Sequence, residues 1–212
     1  MASASKERIL ARVREGLNKV DKINNPPAEG EIYSPIDDDI VIAFAENFTK
    51  TAGKLIFCTK KEDFFDKLFE FKQQEKLDKI YCWGDELSTE ILNAGIDIIT
   101  NKDNFLKDCE AGITLCESLV ARTGSVMLSS KIGGGRQLSI FPPTHIVVGY
   151  TSQVVKEIEE SLVKVTNTYE RFPSMISLTS GPSRTADIEK TLVMGAHGPK
   201  ELILFLIDDS EF

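Results

Sequence analysis

From residue 37 to residue 207, short apolar runs alternate with helix-period segments, and this alternation constrains the fold more than any other feature of the chain. Runs such as LIFCT (55–59), KIYCW (79–83), IDIIT (96–100), HIVVG (145–149) and ELILFLI (201–207) are too short for buried helices and read as buried strands. Strands are also predicted over 112–115, 125–129 and 175–179. Between them lie segments with apolar residues at helical spacing. Ile40, Val41, Phe44 and Phe48 follow the acids Asp37, Asp38 and Asp39, which suit the positive end of a helix dipole, and Gly53 ends that run. Phe64, Phe65, Leu68 and Phe71 mark a helix over 61–76, and Val154, Val155, Ile158, Leu162 and Val165 one over 152–166. Residues 86–93 and 184–194 read as further helices, and 117–121 as a helical turn. Units of this length predict a three-layer α/β/α fold with a mostly parallel sheet. Residues 125–149 carry antiparallel signals, which makes a mixed sheet the alternative.

A separate amphipathic helix is predicted over 5–20, with Ile9, Leu10, Val13, Leu17 and Val20 on one stripe. Residues 24–30 (NNPPAEG) break it. The chain therefore divides into an N-terminal helix and linker, residues 1–30, and an α/β domain, residues 31–212. The stripe fits packing on its own domain, on a second subunit or on a partner.

Composition narrows the function classes. Hydrophobic residues make up 42% of the 212, enough for a sizeable core and against global disorder. Thirty-three acids against 25 bases, net charge -8, argue against a nucleic-acid binder. No stretch approaches a membrane span, and the charged N-terminus lacks the apolar core of an export signal. Cys58, Cys82, Cys109 and Cys116 show no CxxC spacing, so no metal or cysteine-bound cluster is expected in this chain. Reduced thiols and a cytoplasmic location follow as expectations. Cys58 and Cys82, at similar positions of successive strands, are candidate neighbours.

The acids are unevenly spread. Residues 118–156 contain none, yet hold Arg122, Lys131, Arg136 and Lys156. Buried strands that exclude acids explain such a run, and so does a surface that faces an anion. Within it lie Thr123-Gly124-Ser125 and Gly133-Gly134-Gly135-Arg136. Triple glycine permits positive φ or close approach of the backbone to a ligand, but the loop lacks the spacing of a Walker or dinucleotide motif; a flexible hairpin is the plainer reading. Ser183-Arg184-Thr185-Ala186-Asp187 follows a predicted strand and opens a predicted helix. A capped helix start there offers free N–H groups to an anion, with Arg184 beside them, or serves structure alone. His145 and His197 are candidate acids or bases, or structural histidines. Glu117 is a candidate nucleophile or base, with a solvated helix-end acid as the alternative, and Cys116 a further candidate nucleophile.

Taken in order, ARTGSVMLSS, LSIFPPTHIVVG and SLTSGPSRTADIEKTLVMGAHGPKELILFLID resemble the LUD domain family, in its lactate utilization protein C branch. The matching positions include Thr123, Gly124, Ser125, Pro142, Pro143 and His145, then Gly181 to Thr185, Asp187 and His197 to Pro199. The resemblance implies a fold of the ribose-5-phosphate isomerase and CoA-transferase-like type. It implies a cytoplasmic subunit contributing to oxidation of L-lactate to pyruvate together with iron–sulfur partner proteins, the clusters residing in those partners. Relatives commonly carry an acid before the Thr-Gly pair where this chain has Arg122, which would extend the positive patch.

The expected pocket lies between the TG–GGGR region and the GPSRTAD helix start. There Arg136 and Arg184 hold a carboxylate or phosphate, and His145 or His197 moves protons. One alternative is a self-sufficient CoA-transferase-like or sugar-phosphate-isomerase-like enzyme with Glu117 as its carboxylate. Another is a non-catalytic sensing or assembly module.

Overall fold

A computed structural model describes residues 4–19, 35–36, 39–188, 191–195 and 197–210. The chain divides into two units, residues 1–35 and 36–212. In the first, helix α1 (Ala4–Lys19) leaves Ile9, Leu10 and Val13 exposed on its apolar stripe. The predicted linker at 24–30 lies outside the described residues.

The second unit opens with α2 (Ile40–Lys50), β1 (Lys54–Cys58), α3 (Lys61–Gln74), β2 (Ile80–Cys82), α4 (Asp85–Asn93) and α5 (Phe105–Asp108). There follow β3 (Ala111–Leu115), β4 (Ser118–Val120), β5 (Ser125–Ser129), β6 (Thr144–Tyr150), β7 (Val154–Val155) and α6 (Ile158–Thr168). The chain ends with β8 (Ile176–Thr179), β9 (Arg184–Ile188), β10 (Thr191–Met194) and β11 (Glu201–Ile207). Asp39 caps α2 by accepting the Val41 N–H at 2.8 Å and so marks the helix start; Asp37 and Asp38 lie outside the described residues.

Five strands form the central sheet in the order β1-β11-β6-β3-β2, every neighbouring pair parallel. The fold is thus mixed α/β, with a parallel central sheet flanked by helices. β11 and β6 are almost wholly apolar because both faces of the sheet are covered. On one face Ile203, Phe205, Ile146, Val148 and Ile113 meet Phe64 and Leu68 of α3 and Ile91 of α4. Phe205 presents its ring to the edges of Phe64 and Phe71, with centroids 5.4 Å and 6.0 Å away. On the other face Leu202, Leu204 and Val147 meet Phe44 and Phe48 of α2, and Leu119, Val126 and Leu128 of a second sheet. That sheet runs β7-β4-β5-β8, with β5 antiparallel to both β4 and β8.

Several expected elements are corrected. Residues 184–188 and 191–194 pair as the antiparallel strands β9 and β10, where a helix was expected over 184–194. The ends of that segment are tied to each other and to the chain beyond. The Ser183 N–H donates to the Pro199 carbonyl at 2.9 Å, and the Gly195 N–H to the Ser183 carbonyl at 3.0 Å. The β-branched Thr185, Ile188, Thr191 and Val193 suit strands once those ends are fixed. Residues 118–120 are strand β4 rather than a helical turn, because their N–H and C=O groups pair with β5. The expected strand 96–100 contributes a single bridge, Ile99 to Tyr81. The helix expected over 152–166 begins at Ile158, after the short strand β7. Cys58 and Cys82 end strands at opposite edges of the five-stranded sheet, four strand spacings or roughly 19 Å apart, and are not neighbours. Among the described residues no helix is long and apolar enough to cross a membrane.

Candidate functional site: a two-lobed basic cleft

The residues expected to share one pocket gather at the two ends of β5. Its five residues span about 13 Å, so Ser125 and Ser129 lead to different places.

At the Ser125 end, three glycine-containing segments converge on the C-terminal end of α2 and on each other. Gly124 has φ 58°, and a Cβ there would lie 2.2 Å from the Asn47 carbonyl carbon. The Asn47 side-chain amide donates to the Ala121 carbonyl at 2.9 Å, which locks the turn to the helix. Ser125 Oγ donates to Thr123 Oγ1 at 2.7 Å and lies 2.6 Å from Ser180 Oγ. Gly181, at φ 77°, brings its backbone against the Thr51 carbonyl, to which the Arg184 guanidinium donates at 2.7 Å. Arg184, Thr185 and Asp187 therefore lie in strand β9, just after Ser183, and the row of free helix N–H groups expected at this position does not form. His197 is exposed and next to Gly198, which packs on the Ser183 side chain. Arg122 pairs with Glu157 at 2.6 Å and adds nothing to a positive patch.

His145 is wholly buried in β6 of the central sheet. Its Nε2 is 2.8 Å from Thr114 Oγ1 on β3, and among the described residues its Nδ1 has no partner. Burial pulls its pKa down to about 3, so the ring is neutral at physiological pH. Gly112, its neighbour across the sheet, is roofed by Leu138 and Pro142.

The Ser129 end opens into a cleft. All three glycines of the loop are needed for its path. Gly134 has φ 71°, a Cβ on Gly133 would lie 2.5 Å from Gly84 Cα, and one on Gly135 2.3 Å from the Ser129 carbonyl oxygen. Their close approach is thus to the protein's own backbone. It presses the loop against the chain just past the carboxyl end of β2, on the side of a parallel sheet where α/β proteins bind ligands. Arg136 then stands at the seam of two lobes, of about 400 Å³ and about 380 Å³. Trp83, Lys102 and Gln137 help to line the first; Lys131, Arg171 and Ser174 help to line the second; Ser130 and Arg136 line both. Arg136 donates to Ser174 Oγ, which lies 3.1 Å from Ser130 Oγ. Lys102 Nζ sits 5.0 Å from the centre of the Trp83 ring. Among the described residues, four cations and no acid line the two lobes, in a chain where acids outnumber bases.

Glu117 adjoins the second lobe. Its carboxylate accepts from Ser129 Oγ, and from the Tyr169 hydroxyl at 3.0 and 3.2 Å to its two oxygens. Burial, with the carboxylate beside it, pushes the Tyr169 hydroxyl up to about 12, which keeps it a proton donor. Lys131 Nζ lies 5.6 Å from the Tyr169 ring, and the Lys131 N–H donates to Ser129 Oγ at 2.9 Å. Burial also pushes the Cys116 thiol up to about 12 and Cys58 and Cys82 to about 11, away from thiolate chemistry. Among the described residues no group of three His, Cys, Asp or Glu is placed to hold a metal ion.

Of the expected site residues, the structure brings Glu117, Gly134, Gly135 and Arg136 to the cleft region. Thr123, Gly124, Ser125, Ser183 and Arg184 lie at the far end of β5. Sequence reading missed Trp83, Lys102, Arg171 and Ser174 as cleft residues, and Tyr169 as the partner of Glu117. Each lies far in sequence from the GGGR loop, and no local motif marks it.

Fold and site together define an α/β protein with a cleft lined by basic side chains beside a hydrogen-bonded carboxylate. The LUD domain family matches residues 42–207, and the chain belongs to that family. It is 28% identical over 170 residues to lactate utilization protein C 1 of Bacillus mycoides, covering 77% of this chain and 70% of that protein. To lactate utilization protein C of Macrococcus caseolyticus it is 36% identical over 147 residues, 62% of each chain. To the uncharacterized protein NMB1437 of Neisseria meningitidis it is 37% identical over 111 residues, 52% of this chain and about half, 48%, of that one. A crystal structure of a DUF162 family protein from Deinococcus radiodurans shares the fold, with TM-score 0.58 and 17% identity over 79% of this chain and 96% of that one.

Proposed function

We propose that the chain serves lactate utilization, as a subunit that contributes to oxidation of L-lactate to pyruvate together with iron–sulfur partner proteins. Its part is to bind a small anion, carboxylate or phosphate, in the two-lobed cleft. The observation that carries this reading is a cleft past the carboxyl end of β2 with four cations and, among the described residues, no acid in its lining. The names of the relatives from Bacillus and Macrococcus supply the substrate. Oxidising lactate removes two electrons and two protons from its C2 carbinol. In this reading clusters in the partners would accept the two electrons, Glu117, beside the cleft, takes one proton, and the other is released to solvent. Buried His145 belongs to the fold, and His197 stands apart from the cleft. A strain lacking the gene should fail to grow on L-lactate as carbon source. The native gene should restore growth, and Arg136→Ala should restore it at less than about a tenth of the native rate, the loss typical of a charge-assisted anion contact. Undiminished growth of the deleted strain on L-lactate would remove the reading.

A second reading rests on the hydrogen bonds to Glu117. A carboxylate held by Ser129 and Tyr169 at the rim of a basic cleft suits a self-sufficient acyl transfer or proton abstraction. If the chain forms CoA esters, Glu117→Gln should abolish their formation; unchanged turnover would reject this role.

A further inference from the structure

We infer that the cleft takes a ligand with two anionic groups, one seated in each lobe and both sharing Arg136. This rests on the reading of the cleft as the ligand site and goes beyond it by setting the ligand's charge pattern. Each lobe has a cation of its own: Lys102 in the first, Lys131 and Arg171 in the second. Arg136 and Ser130 are common to both, so a group in either lobe meets the same guanidinium and hydroxyl. Ser174, in the lining of the second lobe, accepts a hydrogen bond from that guanidinium. A ligand with one carboxylate neutralises one lobe and leaves the cations of the other facing solvent. A ligand with two anionic ends satisfies both lobes in a single binding event, and the second contact forms at the high effective concentration that tethering gives. The chemical class is therefore a dicarboxylate, a diphosphate or a carboxylate that also carries a phosphate.

Trp83 is the one tryptophan of the chain and lines the first lobe, so its emission reports occupancy there. The folded full-length chain is titrated at constant ionic strength with monoanions (acetate, L-lactate) and with bis-anions of graded span (malonate, succinate, glutarate, inorganic pyrophosphate). Calorimetry provides stoichiometry and detects binding that leaves Trp83 unchanged. At least one bis-anion should bind more than about tenfold tighter than the best monoanion, at one per chain. Lys102→Ala and Arg171→Ala, both at exposed positions, should each bring that bis-anion down to the monoanion level. If monoanions saturate the cleft and no bis-anion binds tighter, the inference fails while the cleft remains the ligand site. If nothing binds saturably by either method, both readings fail.

Discussion

Acidification from pH 7 to pH 5 is expected to cost the fold about 2 kcal/mol through His145 alone. The ring is fully buried on β6, with the Thr114 hydroxyl against Nε2 and, among the described residues, no partner for Nδ1. Burial lowers its pKa in the folded chain from 6.5 to about 3. The neutral ring is thus the folded form, whereas the unfolded chain takes up a proton below pH 6.5. Stability from this residue is complete above the unfolded value, falls as the pH drops below it, and is fully lost only near the folded value. Over that whole window the loss is on the order of 5 kcal/mol. Urea unfolding at pH 7, 6 and 5 measures the slope, with His145→Gln as the reference chain that has no titrating ring. The native chain should lose about 2 kcal/mol more than the variant between pH 7 and 5. Parallel curves would mean that His145 titrates alike in both states, and a proton-transfer role for it near neutrality would reopen.

Gly124→Ala should destabilise the protein by about 4 kcal/mol, from two separable causes. The left-handed backbone at φ 58° costs a residue with a Cβ about 1–2 kcal/mol. The Cβ would also lie 2.2 Å and 2.3 Å from the Asn47 carbonyl carbon and the Phe48 nitrogen, both backbone atoms of α2. A helix whose Phe44 and Phe48 are wholly buried has little room to move away. Gly95 separates the two causes. It has φ 79°, and among the described residues nothing lies within 4 Å of the place a Cβ would take, so Gly95→Ala should show the backbone cost alone. Thermal or urea unfolding of the pair tests this. Equal losses at both positions would show that the turn does not press on α2. A large difference would assign the Thr-Gly pair to joining β4 and β5 to that helix, which accounts for its fixed spacing to Ser125 without invoking a ligand.

The sequence by itself determined the elements whose environment is uniform along their length. The central strands β6 and β11 are covered on both faces, so each reads as a nearly unbroken apolar run. Asp39 starts α2 through a bond to its own Val41, a local event that a local pattern reveals. Local pattern also singled out Arg136 beside three glycines. Tertiary structure alone decided three things. It made residues 184–188 and 191–194 paired strands, because the tethers from Ser183 to Pro199 and from Gly195 to Ser183 outweigh any helical preference of these residues. It separated the Thr-Gly turn from the GGGR loop by the length of β5, so motifs adjacent in sequence serve different ends of the domain. And it completed the cleft with Lys102 and Arg171, each more than thirty residues from Arg136 along the chain. A surface charge makes no local structural demand, so nothing around those residues in the sequence marks them. The folded positions of the segments after β2 and α6 are what bring these like charges to one cleft.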